Sequence, residues 1–263
     1  MSSRPSTTMR RQARRQCGFT LIELMVTVAI ALFLLGGLLT ILQNMRGTYG
    51  NQQALAQLQD QQRFAMTVLT DVIQAGGYFP DPVGMTTSSA LPADGAYQAG
   101  QAFTGTQGAG APDSIGVRYV TAGSDGVILC DGSTNAGAPG TFQAYTNVFT
   151  VVPPAAGVPG HLFCTLTPNV PAAVPVALVS GVQGLSVYYG VKRNPGITDY
   201  NVDTYLTADQ MLLAGPNGND WGNISSVRVI LTFTNPLAGQ PGQQPTIVFE
   251  RVIEVMARAG VHT

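Results

Sequence analysis

Few side chains in this 263-residue chain could do chemistry. The two histidines, His161 and His262, stand far apart, one leading into an apolar segment and the other next to the end. A nucleophilic triad or a histidine-rich metal centre is hard to build from them. No Gly-x-Ser-x-Gly elbow and no Gly-x-x-x-x-Gly-Lys phosphate cradle occurs. The residue types point away from an enzyme, and no cofactor or small-molecule substrate is expected. Asp199, Asn201 and Asp203 occupy the first, third and fifth positions of a calcium-type loop, where oxygen ligands suit a hard cation. Thr204 stands in place of the turn glycine and Gln210 in place of the bidentate glutamate. A polar turn leading into a strand accounts for the same residues. Asn217, Asn219 and Asp220 form a second oxygen-rich loop open to the same two readings.

One acid is out of place. Glu23 is the only charge in the 24 residues from Phe19 to Leu42. About 20 helical residues cross a hydrocarbon core, so this run can span a bilayer. A carboxylate near the centre of such a span costs about 2.5–3.5 kcal/mol on insertion scales and is a functional hypothesis by default. Arg4, Arg10, Arg11, Arg14 and Arg15 precede the run, which keeps the N-terminus cytoplasmic and sends the rest of the chain outside. A cleaved secretory signal is excluded by the length of the run and the lack of a small-residue site after it. A lipoprotein signal is excluded because Cys17 precedes the run. A plain signal anchor remains, but it leaves Glu23 unexplained.

Only 10% of residues are charged, against a usual figure of about 25%. From residue 19 onward eight basic and fourteen acidic residues leave a balance of −6. That excludes a general nucleic-acid binder, which needs a basic footprint. Hydrophobic residues make up 45%, enough for a core, and 31 glycines and 17 prolines promise long loops.

The elements follow from periodicity. Leu55, Leu58, Ala65, Leu69 and Val72 make one apolar stripe beyond the span, interrupted at Gln62, with Gln52, Gln53, Gln57, Gln59 and Gln61 on other faces. The helix should stop at Gly76-Gly77, before Pro80 and Pro82. A helix from 20 to 75 would be about 84 Å long. Gly36-Gly37 invites a kink or local melting within it. Ile115 to Tyr119, Leu185 to Val191 and Val227 to Phe233 alternate as half-buried strands, with further strands expected near 127–130, 145–152, 161–166 and 246–256. Loops are expected over 81–113, 131–140 and 214–223.

The segment Gly18-Phe19-Thr20-Leu21-Ile22-Glu23-Leu24-Met25-Val26 resembles the class III signal of type IV prepilins and pseudopilins. The resemblance implies cleavage after Gly18 by a membrane prepilin peptidase and N-methylation of Phe19, so that Glu23 becomes the fifth mature residue. The ammonium so created lies one turn from Glu23, where the helix N-terminus already favours negative charge. In a filament the amine can come from a neighbouring subunit, and a misregistered subunit leaves two unpaired charges in an apolar bundle. The simpler alternative is a Glu23 that snorkels to the interface. Cys17 departs from the basic or polar residue common at its place, and Met9 is a second candidate start for a rather long leader. Arg63-Phe64-Ala65, Asp71 to Tyr78, Val182 to Gly190, Trp221 and Ser226 to Val229 resemble PilW-type minor pilins. Phe79-Pro80 stands where relatives often have a cysteine.

With Cys17 removed in the leader, Cys130 and Cys164 remain in an oxidising compartment and are expected to pair, with two separate buried thiols as the alternative. Closing that loop stabilises by about 4 kcal/mol in the chain-entropy model. The expected fold is α+β and type IV pilin-like: a long N-terminal helix, membrane-spanning then amphipathic, packed on a mostly antiparallel β-sheet head with Gly/Pro-rich loops. The expected division is a leader over 1–18, a membrane or filament-core helix over 19–42, its amphipathic continuation over 43–76 and an extracytoplasmic head over 77–263. The resemblance implies a minor pilin that primes type IV pilus assembly with other minor pilins and the major pilin, serving adhesion and twitching motility. It would sit first in the inner membrane, head in the periplasm, and then in the pilus. The alternatives are a minor pseudopilin of type II secretion and a membrane-anchored periplasmic enzyme or adhesin that never assembles.

Overall fold

The computed structural model describes residues 18–168, 174–193, 201–212 and 220–258. The chain divides into two compact units, with the boundary between Gln52 and Gln53. Helix α1 (Leu21–Gln74) is the one described helix long and apolar enough to cross a membrane. In the first unit its side chains are exposed through Gly50. The helix continues unbroken through Gly36-Gly37, where melting is expected. Two glycines cost about 1 kcal/mol each, and strong helix formers surround them. The Thr40 hydroxyl donates to the Gly36 carbonyl at 3.0 Å and rejoins the turn.

The second unit is built around the last turns of α1. Leu58, Ala65, Met66, Leu69, Val72 and Ile73 are buried there. Leu55 of the predicted stripe is only half-buried, while Met66 and Ile73 widen the stripe next to Ala65 and Val72. The elements after the helix are α2 (Thr87–Ala90), β1 (Phe103–Thr106), β2 (Ser114–Ala122), β3 (Phe142–Val152), β4 (His161–Thr167), β5 (Val176–Ser180), β6 (Val182–Val191), β7 (Thr204–Leu206), α3 (Ala208–Leu212), β8 (Ile224–Thr234) and β9 (Thr246–Glu254). Strands β1 to β5 form one antiparallel sheet in chain order, and a second antiparallel sheet has the order β7-β6-β8-β9.

The expected single sheet is therefore two. Asp113 joins them: its N–H donates to Leu185 O at 2.8 Å, and its carboxylate accepts the Val187 N–H at 2.9 Å. These bonds occupy the side of β6 that the short β7 leaves open. Tyr189 crosses in the other direction, its hydroxyl donating to Thr104 O at 3.3 Å. One core holds the α1 stripe, Ile115, Val117 and Tyr119 of β2, Phe149 of β3, Leu162 of β4, Leu185 and Val187 of β6, and Val227 to Phe233 of β8.

Two strand expectations and one loop expectation need correction. Residues 127–130 are not a strand; a lone Ile128–Thr134 bridge stands in a loop drawn back on itself by Leu129 N–H to Ser133 O at 2.8 Å. Strand β9 ends at Glu254, and Met256–Arg258 is a 3-10 turn. The expected 81–113 loop contains α2 and β1, whose short Phe-Thr-Gly-Thr sequence carries little alternation.

Strand β2 is buried on both faces rather than one. Its second face is covered by the segment that follows α1. Gly77, at φ +81°, donates its N–H to Arg118 O at 2.9 Å, and Val120 N–H returns to Tyr78 O at 2.8 Å. A Cβ on Gly76 would fall into the Phe103 ring, so the helix exit needs glycine for space as well as for backbone angle. Leu91, Ala90 and Val120 make a small second cluster. Arg118, 3% exposed, donates to the carbonyls of Pro92 at 2.7 Å, Gln101 at 3.0 Å and Leu91 at 3.2 Å, with its guanidinium 4.7 Å from the Tyr97 ring centroid. Charge-assisted bonds and a cation–π contact thus hold the loop, and desolvation lowers the pKa of this guanidinium.

Burial pushes the Tyr119 phenol up to about 12, and raises those of Tyr97 and Tyr189 further. Unfolded phenols ionise near pH 10. Stability should therefore be intact below about pH 10 and fall as pH rises toward 12, because the unfolded chain loses protons that the fold retains. Tyr119→Phe should flatten this alkaline limb in urea melts taken from pH 8 to 12; equal limbs in both proteins would contradict the assignment.

Candidate functional site

The N-terminal segment is built by its local sequence. Gly18, Phe19 and Thr20 precede the helix, and all three are exposed. The Gly18–Phe19 peptide thus lies outside regular structure, as a protease needs it. Phe19 is 79% exposed and Gly18 has open space around it. Thr20 opens α1: its hydroxyl accepts the Glu23 N–H at 3.3 Å, its carbonyl accepts the Leu24 N–H at 3.2 Å, and the hydroxyl donates to the Glu23 carboxylate over a long 3.5 Å.

Glu23 is therefore the third residue of the helix beyond a threonine cap. Thr-x-x-Glu is the sequence of a capping box, in which both side chains serve the unsatisfied N–H groups of the first turn. The sequence reading treats Glu23 as a membrane charge and misses the threonine cap, whose hydroxyl serves the Glu23 N–H while the Glu23 carboxylate reaches that hydroxyl. The positive end of the helix dipole lies at the same place. The carboxylate is thus aided by its own helix, without a cation of its own among the described residues.

Cys130 and Cys164 form a disulfide, with Cα atoms 6.0 Å apart across 34 residues of sequence. Cys164 lies on the inward face of β4. Cys130 is brought to it by Asn147 of β3, whose side-chain oxygen accepts the Cys130 N–H at 3.0 Å while its amide donates to Val117 O at 3.5 Å. Both cysteines are almost wholly enclosed, at 2% and 0% exposure. The bridge pins the long 123–141 loop to the first sheet.

Several of the other sequence candidates fall in the described residues. The Asp203 carboxylate accepts the Arg193 N–H at 2.9 and 3.1 Å and the Thr204 hydroxyl at 2.9 Å, which makes it a turn brace. Asn201 is exposed, and Asp199 lies outside the described residues. Asp220 begins a 3-10 turn, while Asn217 and Asn219 lie outside the described residues. Among the described residues no three His, Cys, Asp or Glu side chains gather as metal ligands. His161 starts β4 with its ring 5.9 Å from that of Phe163. Cys17 and His262 lie outside the described residues. Tyr189 and Trp221, by contrast, meet edge to face with ring centroids 4.9 Å apart in the core.

Residues 13–39 match the family model of the prokaryotic N-terminal methylation motif, and residues 148–252 match that of the type IV pilus-assembly protein W. This chain is PilW-like. The first match spans the Gly18–Phe19 peptide, the cap and the apolar start of α1; the second runs from the middle of β3 into β9. Together they support a type IV pilus minor pilin, and the apolar α1 fits anchorage in the inner membrane. The PilW-like region points to a structural subunit rather than a catalyst. No curated protein matches the chain.

The enclosure of the disulfide has a direct test. Dithiothreitol should leave the bridge intact in the native protein and reduce it once urea opens the core, read by alkylation and mass. Replacing both cysteines by serine should lower stability by about 2–5 kcal/mol. Rapid reduction of the native protein would show that the sulfurs are reachable.

Proposed function

We propose that this chain is a minor pilin that helps to initiate type IV pilus assembly with other minor pilins, and so supports adhesion and twitching motility. A prepilin peptidase cuts after Gly18 on the cytoplasmic side, and Phe19 is methylated at its new amine. The head lies in the periplasm until the subunit moves into the fibre. The carrying observation is the coincidence of a methylation motif, an exposed non-helical Gly18–Phe19 peptide and a PilW-like head in one chain.

Glu23 sets the register of assembly. Its carboxylate meets an amine from a processed N-terminus when helices pack side by side. A subunit displaced along the bundle leaves a cation and an anion unpaired in apolar surroundings, where an unmatched charge is strongly disfavoured. The capping role and the pairing role of Glu23 make different demands. Glutamine at this position keeps the cap and removes the charge.

Mass spectrometry of the chain from cells should give a mature protein that starts at methylated Phe19. An intact arginine-rich leader would instead support an anchor that never assembles. Glu23→Gln should insert into the membrane and be cleaved, yet enter fibres at least about tenfold less than the parent, as expected if one charge pair in low dielectric decides registry. Normal incorporation of Glu23→Gln would eliminate the pairing account and leave only the cap. A deletion strain should lose pili while keeping exoprotein secretion; the reverse would assign the chain to type II secretion.

A further inference from the structure

Strand β9 (Thr246–Glu254) ends the second sheet, and among the described residues nothing pairs with its outer side. Its ladder with β8 runs without a bulge over nine residues. Val255 N–H donates to Ser225 O at 2.9 Å, and Asn235 N–H to Pro245 O at 3.0 Å. Antiparallel ladders alternate, so residues 247, 249, 251 and 253 turn their backbone groups toward β8. Val248, Glu250, Val252 and Glu254 therefore turn theirs to the open side. The strand contains no proline. Arg251 fastens it from the inner face by donating to the Thr70 hydroxyl of α1 at 3.1 Å. A long, bulge-free edge of this kind is a template for another strand.

The side chains at the same four positions point to the outer face of the sheet. Val248 and Val252 are 57% and 50% exposed. Glu250 is held by Arg228 at 2.7 and 2.9 Å. Glu254 is exposed, four residues further on. No residue at these outward positions is a cation, so two β9 strands cannot set a basic side chain opposite Glu250 or Glu254 in any register. Charge complementarity selects a different polypeptide.

We propose that the β9 edge accepts an extended strand of a partner protein carrying a basic–x–apolar–x–basic pattern. Backbone N–H and C=O groups at Val248, Glu250, Val252 and Glu254 supply the ladder. The partner's two basic residues lie opposite Glu250 and Glu254, and its apolar residue lies opposite Val252. The pattern is the same in both chain directions, so it fits parallel or antiparallel addition. This inference does not rest on processing or on assembly into a fibre.

The test uses the full chain in detergent micelles and two labelled nine-residue threonine peptides, which bind with their central residue opposite Val252 and so overhang the end of β9 by two residues. One carries Lys at its third and seventh positions and Val at its fifth; its twin has Glu in place of Lys. Fluorescence anisotropy should show the Lys peptide binding about tenfold more tightly than the twin. Glu254→Lys should cut that preference about threefold. Val252→Pro removes an outward N–H without touching the β8 ladder and should abolish binding of both peptides. Equal binding of the twins, no binding of either, or undiminished binding to Val252→Pro would overturn the proposal. If circular dichroism shows that Val252→Pro has lost its strands, the Glu254→Lys comparison decides, and an unchanged preference there overturns it. Chain dimers that the Lys peptide cannot compete away would also overturn it.

Discussion

The second unit depends on burial of one apolar stripe. From Leu58 to Ile73 the helix presents side chains that neither sheet could cover alone. The first sheet supplies Ile115, Val117, Phe149 and Leu162, and the second supplies Leu185, Val187, Val227, Val229 and Leu231. Each fully buried aliphatic side chain contributes about 1.5–3 kcal/mol, so the stripe is the common substrate on which both sheets close. The same demand explains why the joints between the sheets are polar. Asp113 and the Tyr189 hydroxyl satisfy backbone groups at places where strands stop short of one another.

A glycine-rich chain with few charges must hold its loops by other means. The loop after α1 is fastened by one buried cation, Arg118, which bonds to loop carbonyls and faces the Tyr97 ring. The 123–141 loop is fastened by the disulfide, by Asn147 and by short carboxylate turns. Asp125 accepts the Ala122 and Val127 N–H groups, and Asp131 accepts that of Ser133. Apart from the disulfide and the Tyr97 ring contact, these fasteners bond to backbone groups, which suits a sequence poor in complementary side chains.

What the sequence made legible follows from where its signals are local. The 3.6-residue period located the stripe, although reading a single column passed over Met66 and Ile73. Strict alternation located β2, β6 and β8, the strands with the strongest period of two. Strands β1, β5 and β7 have only four, five and three residues, too few for a period of two to stand out. The joint between the two sheets rests on Asp113, which no local pattern marks, and on the hydroxyl of Tyr189, whose place in an alternating strand does not reveal its partner. Burial of the second face of β2 depends on Ala90 and Leu91, which fold back from a stretch that reads as loop and are held there by Arg118 of the strand itself. The Cys130–Cys164 pair was legible because only two cysteines follow the apolar run. At the N-terminus the Thr20-x-x-Glu23 spacing was visible, but the unusual charge drew attention from the ordinary cap.

The crossing of elements between the sheets bears on how the molecule can be divided. The PilW match opens at residue 148, in the middle of β3. A fragment cut there would keep Cys164 and lose Cys130, and would keep β6 while losing the Asp113 that completes its margin. It would also be severed from the helix whose flank its strands enclose. The stretch by which kinship is recognised is thus not an autonomous folding piece, and swapping heads between such subunits calls for exchange of everything from the latter turns of the helix onward.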